Sequence, residues 1–96
     1  MEELLCRAVR RRALLAVRYR GLTRVVEPYL IFAGPDERLW LHGWQVGGEF
    51  DPAATPWCDV RVEDIEAVAP TSATYNWPHA EYDPDSPRFH RVVCRA

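Results

Sequence analysis

Five side chains in this sequence have the types and spacing to act together: Arg24, Trp40, His42, Trp44 and Arg61. Trp40, His42 and Trp44 recur every second residue, the repeat that sends side chains to one face of a β-strand. Arg24 and Arg61 fall in flanking apolar runs. A guanidinium group pairs in a plane with phosphate or carboxylate and stacks on aromatic rings. Rings for stacking beside guanidinium groups for phosphate are what a nucleotide or a single-stranded nucleic acid requires. The competing reading is that this face is covered by the N-terminal helix and the C-terminal segment.

Other chemistry is poorly represented. There is no G-x-x-x-x-G-K-[ST] and no G-x-G-x-x-G, and Gly47-Gly48 reads as a turn. Cys6, Cys58, Cys94, His42, His79 and His90 lack the close spacing of a zinc site. Ser72 and Ser86 are the only serines, both in the loop-rich tail. A Cys58–His42 nucleophile pair is conceivable on adjacent strands, but nothing favours it over two ordinary sheet residues. Asp59, Glu63 and Asp64 read as a solvated acidic turn. The expectation is a non-enzymatic protein with no metal and no cofactor.

Charge and composition narrow the partners. The 96 residues carry a net charge of −2, which gives no support to strong nonspecific nucleic-acid binding. All twelve basic residues are arginine. Residues 1–48 are net basic and residues 49–96 net acidic, so Glu81, Asp83 and Asp85 are candidates to face a basic protein partner. No apolar run approaches the ~20 residues of a membrane span, so no membrane association is expected. The first residues, MEELLCRAVRRR, put acids before arginines, the reverse of a signal peptide. Three widely spaced cysteines predict reduced thiols and a cytoplasmic location.

These side chains need a scaffold. Residues 2–12 read as a helix, with Leu4, Leu5, Ala8 and Val9 in one stripe, glutamates at its start and Arg10, Arg11 and Arg12 at its end. From Leu14 the period changes to two. Strands are expected at about 14–20, 24–33, 38–46, 57–62 and 65–70, with Pro28 at an edge or bulge and turns at 21–23, 34–37 and 63–64. Five short strands after one helix predict a mainly β chain: a small five-stranded Sm-like or SH3-like β-barrel over residues 1–70, with an N-terminal α-helix. Closing the sheet would hide its edges. Leu15, Val17, Val26, Leu30, Phe32, Leu39, Leu41, Val60, Val62, Ile65 and Val68 are its expected core. Residues 71–96 predict an irregular C-terminal extension wrapping the barrel, anchored by Tyr75, Trp77, Tyr82 and Phe89, with a strand at about 89–95.

The run Leu15-x-Val17-x-Tyr19, Arg24-x-x-x-Pro28-x-Leu30, Leu39-Trp40-Leu41 and Val60-Arg61-Val62-Glu63-Asp64-Ile65-x-x-Val68 resembles the WYL domain family. The family's Trp-Tyr-Leu tripeptide aligns with Leu39-Trp40-Leu41, and its Phe-Arg-Leu-Asp-Arg-Ile stretch with Val60 to Ile65, where Asp64 replaces the second arginine. The resemblance spans roughly residues 5–70. It implies an Sm-like barrel that senses a ligand, binds nucleotides or single-stranded nucleic acid, and modulates transcription or phage defence. Tyr19, Arg24, Trp40 and Arg61 are the binding residues it carries over. Lacking a helix-turn-helix, the chain would reach DNA through a regulator protein partner or a different surface. The alternative function is a protein–protein interaction or oligomerisation module, such as a homodimer, with no small ligand.

Overall fold

The structure is a computed structural model describing residues 1–96. The first helix, α1, spans Glu2–Arg11 and buries Leu5, Cys6, Ala8 and Val9, the expected apolar stripe. Glu2 and Glu3 in its first turn and Arg10 and Arg11 in its last complement the helix dipole. It stops at Arg12, which turns left-handed (φ 56°) and donates its N–H to the Val9 carbonyl at 3.2 Å.

Six strands follow: β1 (Ala13–Tyr19), β2 (Leu22–Ala33), β3 (Leu39–Gly48), β4 (Trp57–Arg61), β5 (Ile65–Thr74) and β6 (Arg91–Arg95). A 3-10 turn over Val62–Asp64 separates β4 from β5. All pairings are antiparallel, in the order β4-β3-β2-β1-β5, with β6 added to β2. The chain is therefore mainly β, as expected, but two features of the expected barrel are corrected. There are six strands rather than five, because β2 extends beyond β1 and its residues Leu30–Ala33 pair with β6. The barrel is also not closed: β4 pairs only with β3, β5 only with β1 and β6 only with β2, so the sheet leaves free edges.

The hairpin between β1 and β2 turns through Arg20 (φ 51°) and Gly21 (φ 77°). Two consecutive positive φ values match the twist of a two-residue hairpin turn. Pro28 lies at a bulge, where the β2–β3 register shifts between Pro28 and Leu30. Gly43 pairs opposite Pro28, and a Cβ there would lie 2.3 Å from the Glu27 carbonyl oxygen, so the close approach of the two backbones requires glycine.

The bulge also redistributes the core. Ile31 joins Leu15, Val17, Val26, Leu41 and Val60 beneath α1. Leu30 and Phe32, expected in that interior, instead join Tyr29, Tyr75 and Phe89 in a second cluster. Leu39 is only half-buried. The C-terminal segment covers this second cluster. Tyr75 donates its hydroxyl to the Pro28 carbonyl at 2.8 Å, an acceptor left available at the bulge. Tyr82 and Phe89 also anchor it, whereas Trp77 is 79% exposed and anchors nothing in the core.

The thiols differ from expectation as well. Cys6 of α1 is disulfide-bonded to Cys94 of β6, with Cα atoms 5.8 Å apart, and only Cys58 is free. Eighty-eight residues separate the pair, so no spacing in the sequence announces it. No helix is long and apolar enough to cross a membrane.

Candidate ligand-binding clefts

Strand β4 sets the geometry. Its pairing with β3 places Arg61 beside Trp40, Asp59 beside His42 and Trp57 beside Trp44. Alternation puts these six side chains on one face, so Trp40, His42 and Trp44 do share a face as their spacing predicts. The C-terminal segment then divides that face. Trp44 stacks on His79 (centroids 4.0 Å), and His42 lies against Tyr82 and Phe89 with only 5% of its surface exposed. His42 and Trp44 therefore do not join Arg24 and Arg61 in one open patch. Trp40 and Arg61 do.

The first cleft, of about 510 Å³, brings Trp40 and Arg61 together with Tyr19, Arg20, Arg24 and Cys58. The Arg61 guanidinium carbon lies 5.8 Å from the Trp40 ring centroid. Tyr19 is flanked by Arg20 at 5.3 Å and Arg24 at 6.0 Å. These are cation–π distances. Arg61 also donates to Glu63 at 2.5 Å. The Nε groups of both Arg24 and Arg61 are buried without a hydrogen-bond partner. Arg20 and Arg24 have no carboxylate partner within ion-pair distance, although five other arginines pair as ion pairs across the protein besides Arg61. Two carboxylates reach the cleft. Asp51 caps its own turn at Ala53, and Asp59 is engaged elsewhere. Burial pushes the Cys58 thiol pKa up, with Arg24 opposing, so the thiol stays protonated at neutral pH.

The second cleft, of about 340 Å³, shares Trp57 and Asp59 with the first but adds His42, Glu81, Asp83 and Arg88. His42 Nδ1 lies 2.8 Å from Asp59 Oδ1, and Arg88 donates to Asp59 Oδ2 at 2.6 Å. Burial works against the Asp59 carboxylate, yet the bonds from His42 and Arg88 outweigh it and hold its pKa below the ordinary carboxylate value. His42 and Trp57 stack almost in parallel, with centroids 5.1 Å apart. Cys58 lies on the opposite face of β4 from Asp59 and His42, so the conceivable Cys58–His42 pair does not form.

Sequence reasoning missed Asp59, Arg88 and Arg20. Asp59 read as part of a solvated turn. Only the β3–β4 register, set across the loop at 49–56, reveals that it stands opposite His42. No family model, curated protein or solved structure matches the chain.

Proposed function

We propose that this protein is a WYL-like, Sm-type ligand-sensing module, non-enzymatic, that binds a nucleotide or a short single-stranded nucleic acid in the arginine cleft. In this reading it modulates transcription or phage defence through a regulator protein partner. One observation carries the proposal: Arg20, Arg24 and Arg61 converge on one cleft with Tyr19 and Trp40, and Arg20 and Arg24 have no carboxylate partner there. A phosphate oxygen against these guanidinium groups adds a charge-assisted bond. Trp40, Tyr19 and Trp57 line the same cleft and offer surfaces for a base. Stacking contributes about 1–3 kcal/mol per base.

The test is a titration of mononucleotides and short single-stranded oligonucleotides at low salt, followed by tryptophan fluorescence. Saturable binding at micromolar protein is expected. Arg24→Gln with Arg61→Gln should weaken it about 10- to 100-fold, in line with ~1.5–3 kcal/mol for a hydrogen bond to a charged group. A flat titration overturns the reading.

The free edges favour a second reading, a module for protein association or homodimerisation. β5 has no partner on its outer side and is exposed along most of its length. Such an edge is a template for another strand. Sedimentation across a concentration series tests it, and a strictly monomeric chain with no retained partner counts against it.

A further inference from the structure

The second cleft is built from acceptors, and we infer that it binds an organic cation, an alkylammonium or guanidinium group. His42 is the central observation. Its side chain is 7% exposed, and its Nδ1 is fixed by Asp59 at 2.8 Å. A carboxylate accepts only, so Nδ1 carries the hydrogen, and in the neutral ring Nε2 carries a lone pair. Nε2 has no hydrogen-bond partner, and His42 lines the cleft. A nearly buried acceptor thus faces a cavity without a donor to meet it.

The surrounding groups have the same character. Glu81 and Asp83 line the cleft, and neither forms an ion pair, whereas Asp59, Glu63, Glu66 and Asp85 each do. With Asp59 they make three carboxylates against the single guanidinium of Arg88. Arg88 is committed to Asp59 and lies 4.9 Å from the Phe89 ring centroid. The chain therefore already seats one guanidinium here, on a carboxylate and over an aromatic ring, and Glu81, the Asp83 oxygen not bonded to the Asp85 N–H, and His42 Nε2 are left for another. Trp57 and Phe89 give the cleft aromatic walls suited to a cation. No three His, Cys, Asp or Glu side chains converge closely enough to hold a metal ion. An extended cation with several N–H donors can span acceptors that one small ion cannot.

The source is either a free amine or an arginine side chain of another protein, and both supply the same donors. We would follow the His42 ring resonances of the full chain by NMR while titrating agmatine or, separately, an arginine-rich tripeptide. A saturable shift at millimolar probe or below is expected. Glu81→Gln with Asp83→Asn, both exposed positions, should weaken it at least tenfold, and Arg24→Gln should leave it unchanged. Tighter binding of agmatine assigns the cleft to a small molecule, and tighter binding of the tripeptide assigns it to a protein. No saturable His42 shift with either probe, or undiminished affinity in the double variant, overturns the inference. The arginine cleft is tested with anionic probes and different variants, so either result stands without the other.

Discussion

The arginine cleft and the carboxylate cleft share Trp57 and Asp59 of one five-residue strand, yet they present opposite chemistry. Arg20, Arg24 and Arg61 bring donors to the first. His42, Glu81 and Asp83 bring acceptors to the second. What separates them is where partners come from. β4 offers Trp57, Asp59 and Arg61 in alternation. The C-terminal segment brings Arg88 onto Asp59, which removes that carboxylate from the guanidinium groups of the first cleft. The Arg88–Asp59 ion pair therefore helps leave Arg20 and Arg24 without a carboxylate partner. Surface ion pairs stabilise little by themselves, about 0–1 kcal/mol. Their larger consequence here is which charges they leave over.

The comparison can be broken in stages. Replacing Cys6 and Cys94 by serine has the largest expected effect on stability. A cross-link spanning 88 residues stabilises by about 4 kcal/mol in the chain-entropy account. Neither cysteine lines either cleft, so denaturant midpoints should fall while each cleft keeps its charge preference in the folded fraction. A swapped preference would contradict the separation.

Gly43→Ala comes next. The added Cβ would meet the Glu27 carbonyl at 2.3 Å, a backbone clash with no flexible group to yield. Overpacking of this kind costs about 3 kcal/mol. Gly43 sits between His42 and Trp44 on β3, so both clefts should weaken together. Loss of one alone would show that the bulge does not support them jointly.

Asp59→Asn is expected to cost about 2 kcal/mol, the range for a hydrogen bond to a charged group. The folded pKa of Asp59 lies below its unfolded value of about 3.9. Its contribution is therefore complete above that unfolded value and is lost as pH falls through the folded pKa. Unfolding curves between pH 6 and pH 2 should steepen in the parent protein and flatten in the variant. Anion affinity in the first cleft should change less than cation affinity in the second.

Local signals carried the elements well. The stripe in α1, the acid-to-arginine polarity along it, the two-residue repeat of β1 and β3 and the bulge forced by Pro28 all follow from propensity and sterics. So does the sharing of one face by Trp40, His42 and Trp44. Long-range facts were not legible. Whether β4 and β5 meet depends on sheet curvature. The facing of Leu30 and Ile31 depends on a one-residue shift at Pro28. The pairing of Cys6 with Cys94 depends on both chain ends meeting at β2. Arg88 falls in a proline-rich stretch with no periodicity, and nothing in its neighbours points to Asp59, 29 residues earlier.

Tyr29 ties the covering segment to the sheet at several points at once. Its hydroxyl donates to Glu27 and accepts the His79 N–H at 2.8 Å. Its carbonyl receives the Ala96 N–H at 2.8 Å and the Tyr82 hydroxyl at 3.3 Å. Residues 79, 82 and 96 thus fasten to one β2 position, like a buckle set among the segment's other ties to the sheet. Tyr29→Phe leaves the carbonyl clasp in place and removes the hydroxyl one. Protease cleavage within 79–88 should then quicken while the sheet beneath stays resistant.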